Sequence, residues 1–158
     1  MAYLPSSFEA FFLAERDRLF GVLCLMTGDR HEAEEIAQDA FLAIWERWER
    51  VHLLDDPAGY LHRTAVNVFR KRHRRAAALG RLTRLLPSRA EGSSGEGAVL
   101  LHEALAALSP RQRAALVLTE MLGYNGAEAA QLLGVKESTI AALKHQGRAA
   151  LKKTEPTG

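Results

Sequence analysis

Residues 126–151 read GAEAAQLLGVKESTIAALKHQGRAAL, and they decide the fold of the carboxy-terminal half. Ala129, Ala130 and Leu133 fall on one side of a short helix. Gly134 permits the left-handed backbone of a tight turn, which costs little only for glycine. Val135 fills the angle between helices, and a second helix turns Ile140, Leu143, Gly147 and Leu151 inward. This is the pattern of a helix-turn-helix, whose second helix places its amino-terminal part in the major groove. The residues placed to touch DNA are Lys136, Ser138, Thr139, Ala142, His145 and Arg148. A plain helical hairpin fits the same pattern. The second helix is also poor in base-reading side chains: Ala141 and Ala142 offer apolar contact alone, for instance to a thymine methyl.

Helix punctuation continues outward from this pair. Upstream, Ser109-Pro110-Arg111-Gln112 is a capping box with proline in the first turn, opening a helix to Leu122 that Gly123 stops. Asn125 and Glu128 start the next helix, and the last runs from about Glu137 to Lys153. Val99–Leu108 is a short helix. Before it, residues 87–98 read PSRAEGSSGEGA, a Gly/Ser-rich linker with nothing to bury. In the amino-terminal half, Ser6–Thr27 is a helix ended by Gly28. Asp29, with Glu32 as capping-box partner, opens a second helix to about Arg50. After a loop at Val51–Asp55, Asp56-Pro57 opens a third helix to about Arg75 or beyond. No alternating strand pattern occurs. The expected fold is all-α: two small helical domains, 1–86 and 99–158, joined by a flexible linker over 87–98.

Charge divides the chain. Residues 57–90 hold nine Lys/Arg and no Asp or Glu, whereas the first 56 residues hold twelve acidic side chains against five basic ones. A block of one sign persists when something outside neutralises it, and for a basic block that is commonly phosphate. With Leu61 at the centre of the buried face of the third helix, Ala65 and Val68 fall beside it. Arg63, Asn67, Arg70 and Arg74 then share the opposite side, with Lys71 toward one edge. A solvated face usually mixes signs; this one does not. Trp48 and Tyr60 flank the loop, as core residues or as platforms for unpaired bases.

The second helix is of the other sign. Ala33, Ile36, Ala37, Ala40, Phe41, Ile44 and Trp48 form its apolar stripe. Glu35, Gln38, Asp39, Glu46 and Glu49 lie opposite, with Leu42 among them. Such a face suits docking onto a basic protein surface as well as solvation. The chain has no run of 18 apolar residues, so no membrane span is expected. The start lacks a signal-peptide pattern, and the expected location is the cytoplasm. Cys24 is the single cysteine and sits in an apolar stretch. The histidines are scattered, so neither metal nor cofactor is expected.

Three stretches together carry a resemblance: GDRHEAEEIAQDAFLAIWERWERV, DDPAGYLHRTAVNVFRKRHRR and LSPRQRAALVLTEMLGYNGAEAAQLLGVKESTIAALKHQGRAAL. In this order they closely resemble bacterial sigma factors of the extracytoplasmic-function type. The resemblance implies that residues 6–75 are conserved region 2 and residues 99–153 region 4. It implies docking of region 2 on the clamp of RNA polymerase core through Glu34, Glu35, Gln38, Asp39 and Leu42. It implies melting and reading of the promoter −10 element by the loop Arg50–Asp56, with Arg50 and His52, and by Tyr60, Arg63, Asn67, Arg70, Lys71 and Arg74. Region 4 would place the last helix, with Lys136, Ser138, Thr139, Ala142, His145 and Arg148, in the −35 element and rest on the polymerase flap. An anti-sigma factor commonly masks these surfaces in the family.

The last helix departs from the family's pattern. Lys136 stands where a capping serine is common, Ala141 where a basic residue is common, and Gln146 where an arginine is common. Lysine cannot accept the amide hydrogen bonds of a cap, and fewer cations release fewer counterions. Other readings remain: a helix-turn-helix regulator acting on duplex DNA without polymerase, a nuclease, or a decoy that keeps the fold alone. A regulator has no need of Gln38-Asp39 and Leu42 beside a basic helix. A nuclease needs clustered carboxylates or a nucleophile set near the basic block, where 57–90 has no acid at all.

Overall fold

A computed structural model describes residues 7–79 and 103–154. The expected linker at 87–98, the basic residues beyond Leu79 and the start of the expected Val99–Leu108 helix lie outside the described residues. Within them the regular structure is helical, without a strand. The chain divides into two compact units, drawn from Met1–Gly21 with His31–Leu86 and from Val22–Arg30 with Pro87–Gly158.

The first unit is built on α1 (Phe8–Thr27, whose last turns count with the second unit), α2 (Arg30–Glu46), α3 (Trp48–Val51) and α4 (Pro57–Leu79). Its core gathers Phe11 and Leu19 of α1, Ile36, Ala40, Phe41 and Ile44 of α2, and Leu61, Ala65, Val66 and Phe69 of α4. The sequence implied one helix from Asp29 to about Arg50; the chain instead breaks at Arg47 (φ −113°, ψ 14°). The break lets Trp48 meet Phe8 and Phe11, at ring separations of 5.7 and 5.1 Å. These separations fall within the range where aromatic pairs attract beyond simple area burial. It also carries Val51, expected in the loop, into α3 and to 2% exposure. The Asp56 cap forms as expected, Oδ1 accepting the Gly59 N–H at 3.0 Å. Behind it α4 continues past Arg75 to Leu79.

The second unit contains a helical stretch at 103–106, α5 (Pro110–Leu116), a π turn (Val117–Met121), α6 (Gly126–Leu133) and α7 (Glu137–Thr154). Leu105, Leu108 and Leu116 form a buried cluster against which Leu25, Ala150 and Leu151 pack. The expected capping box of Ser109 with Gln112 is present, and Asn125 with Glu128, expected to start the next helix, forms a second one. Arg113 is buried: its Nε donates to the Leu105 carbonyl at 3.1 Å and its Nη2 to the Leu108 carbonyl at 3.4 Å. It thereby gives the Leu105 carbonyl, which also takes the Leu108 N–H, a second donor, and supplies one to the Leu108 carbonyl where the helical stretch ends.

The helix expected from Pro110 to Leu122 is not uniform. Over Val117–Met121 it widens, and the Leu122 N–H donates to the Val117 carbonyl at 3.1 Å. Thr119 Oγ1 donates back to the Ala115 carbonyl at 2.8 Å, a competition for backbone acceptors that distorts helices. Gly134 adopts φ +68°, as the turn required. At Gly147, a Cβ would lie 2.7 Å from Leu116 Cδ1, so the close approach of α7 to α5 there needs the absence of a side chain.

Candidate nucleic-acid and polymerase interfaces

The outward face of α2 follows from helical periodicity. With Ala33, Ile36, Ala40, Phe41 and Ile44 buried, the opposite side presents Glu34, Gln38, Asp39 and Leu42 to solvent. Glu35 is half-buried, held by His31 Nε2 at 2.9 Å and by the Arg72 guanidinium. The same guanidinium lies 3.7 Å from Asp39 Oδ2. Leu42 is 55% exposed, and one turn on Trp45 is 60% exposed. Trp45 was not singled out from the sequence. Its signal was there: it stands three residues after Leu42 and seven after Gln38, and so on their side of the helix. An exposed leucine alone means little, but an adjoining tryptophan makes an apolar centre of the kind that anchors protein interfaces.

The basic helix presents a different line than expected. Leu61, His62, Ala65, Val66 and Phe69 are buried, while Val68 is only half-buried. The inner face is therefore turned toward Val66 and Phe69, by roughly 60° from a face centred on Leu61. Arg63, Asn67, Lys71 and Arg74 are exposed, and Lys71 moves from the edge into the line. Arg70 turns partly inward, and its Nε is enclosed without a hydrogen-bond partner among the described residues. Arg72, in the middle of the basic run, is spent on Glu35 and Asp39.

Around the loop, Arg50 is exposed and His52 is half-buried with its ring 5.7 Å from that of Trp48. Trp48 is thus core on one side and a support for His52 on the other. Tyr60 stands in the first turn of α4, where its hydroxyl accepts from Arg47 Nη1 at 3.1 Å. Leu53, at 75% exposure, is the most exposed large apolar residue of the described set.

On α7, Ile140 and Gly147 are buried and Leu143 and Leu151 half-buried, as the periodicity required. Lys136, Ser138, Ala142, His145 and Arg148 are exposed, and Thr139 is half-buried. Arg148 is bonded to Glu120 of the π turn, and Lys144 Nζ lies 3.5 Å from the same carboxylate oxygen. The Arg148 hydrogen bond, helped by the charge of both cations, holds the Glu120 carboxyl below its ordinary value against the opposing effect of burial. Gln146, on the other flank of α7, accepts from Gln112 Nε2 at 3.3 Å. No group of three or more His, Cys, Asp or Glu that could hold a metal occurs among the described residues, and no described helix is long and apolar enough to cross a membrane.

Comparison with known proteins places both halves. Residues 11–78 match the family described as Sigma-70 region 2, and residues 98–151 match Sigma-70, region 4. The chain is 30% identical over 147 residues to the ECF RNA polymerase sigma factor SigM of Mycobacterium tuberculosis, covering 92% of this chain and 75% of that protein. Among solved structures it is similar to the extracytoplasmic function sigma factor SigJ of Mycobacterium tuberculosis, at 28% identity and TM-score 0.63 over 94% of this chain and 54% of that one. The sigma factor RpoE of Bartonella quintana, solved with the anti-sigma factor NepR, shares the fold at TM-score 0.68 and 20% identity, over 92% of this chain and 94% of that one.

Proposed function

This chain belongs to the extracytoplasmic-function sigma factors of RNA polymerase, and we propose that it directs the core enzyme to its promoters through separate surfaces of two domains, 1–86 and 99–158, joined at 87–98. The polymerase makes the RNA, and the chain supplies promoter choice and strand opening in the cytoplasm. The α2 face of Glu34, Glu35, Gln38, Asp39 and Leu42 docks on the clamp, with Trp45 added to it. The line of Arg63, Asn67, Lys71 and Arg74, with Arg50, His52 and Tyr60 at its head, receives the opened −10 strand; Arg70 contributes from its edge. The amino-terminal part of α7 enters the −35 element, and region 4 rests on the flap. An anti-sigma factor that covers these faces is the expected regulator.

The single observation that supports this reading over a free-standing DNA-binding regulator is the exposed Leu42–Trp45 pair among carboxylates on α2. Duplex recognition by α7 has no use for it. Binding of the purified chain to RNA polymerase core tests the assignment. Gln38→Ala with Leu42→Ala should weaken core binding while helical content and melting temperature stay near normal, since neither side chain is part of the core. Unchanged affinity for core polymerase would refute the assignment.

A further inference from the structure

Glu120 is the meeting point of two cations of α7. Arg148 bonds to its carboxylate and Lys144 Nζ lies 3.5 Å from it. The π turn brings this about: the wider backbone between Val117 and Leu122 fits an extra residue into the turn and so shifts where each of its side chains points. On α7, Lys144 and Arg148 are one turn apart and share a flank. The remaining cations of that helix, Lys152 and Lys153, stand at its far end. A helix already sparse in positive charge thus has the cations of its middle turns neutralised from within the same unit.

We propose that Glu120 sets the duplex affinity of α7, by holding Lys144 and Arg148 in ion pairs that DNA phosphates must displace. This rests on the reading that α7 meets duplex DNA. A cation paired to a carboxylate releases no counterion from DNA until the pair opens. The pairing therefore lowers affinity and flattens its dependence on salt. Ion pairs between partly exposed side chains are weak, so the pairing restrains binding without abolishing it. The device suits a factor that must leave its upstream contact when polymerase moves away from the promoter.

The test is the binding of the full chain to a random-sequence DNA duplex, with potassium chloride varied between about 50 and about 200 mM. Glu120→Gln should bind more tightly at low salt. Its log–log salt slope should steepen by up to about 1.8, the share of two phosphate contacts, which amounts to roughly tenfold in affinity across that range. Glu120→Ala should act in the same way. In a Lys144→Gln, Arg148→Gln background the gain should vanish. Unchanged or weaker binding by Glu120→Gln, where the unaltered chain does bind, overturns this inference alone. So does an equal gain in both backgrounds, because Glu120 would then act by its own charge. Absence of duplex binding by both proteins overturns this inference together with the duplex reading of α7.

Discussion

Arg72 of α4 and Glu35 of α2 are joined by an ion pair, and Asp39 lies 3.7 Å from the same guanidinium. A residue in the centre of the basic run is thereby paired with the acidic helix. The pair links the surface proposed for polymerase to the helix proposed for the −10 strand. Arg72→Gln should leave the salt slope of single-stranded DNA binding unchanged. Lys71→Gln, next to it in sequence and exposed, should reduce that slope by about 0.7. Because the paired side chains are partly exposed, Arg72→Gln should cost at most about 1 kcal/mol in urea unfolding. Equal loss of slope in the two variants would place Arg72 on the DNA.

The turn of the helix-turn-helix makes a stability prediction. Gly134 sits at φ +68°, between the end of α6 and the start of α7. A side chain in this backbone region meets the following carbonyl, so Gly134→Ala should destabilise the second unit by about 1–2 kcal/mol. Thermal or urea unfolding measures it. A variant as stable as the parent would mean that the turn can relax to a right-handed backbone.

Lys136, at the head of α7, offers no side-chain acceptor. The Lys136 carbonyl takes the Thr139 and Ile140 N–H groups at 3.0 and 3.2 Å, and its side chain is a donor alone. Lys136→Ser should stabilise the fold on the order of 1 kcal/mol by supplying the cap. Ala141 is exposed one turn further on, and Ala141→Arg should tighten duplex binding, by about 1–3 kcal/mol if the new side chain finds a bidentate base contact. Strong, sequence-specific duplex binding by the unaltered chain, unimproved by Ala141→Arg, would show that the small side chains of α7 already fit their groove.

Much of this was legible from the residues. The caps at Asp56, Ser109 and Asn125 and the turn at Gly134 follow from short-range chemistry, which a sequence states directly. What was not legible depended on longer range. The break at Arg47 exists because Trp48 finds Phe8 and Phe11, some forty residues away in the chain, a pairing that no local pattern announces. The turn of α4 toward Val66 depends on what packs against it, and periodicity fixes a face only to within a residue or so. For the same reason Arg70 and Lys71 exchange roles, and Arg72 proves to be a partner of Glu35. The π turn had no sequence signal beyond Thr119, yet it places Glu120 beside Arg148. The likeness to sigma factors named the elements, but ion pairing inside the chain decides which of their charges remain available.

Run-off transcription with purified core polymerase on a promoter library asks whether this chain makes the polymerase selective for promoters, because it requires core docking, strand opening and sequence choice together. Addition of the chain should yield transcripts from a restricted set of templates sharing −10 and −35 elements, and Gln38→Ala with Leu42→Ala should abolish most of that yield. Binding of the chain to duplex DNA, with no polymerase-dependent transcript from any template, would contradict the account and leave a DNA-binding regulator in its place.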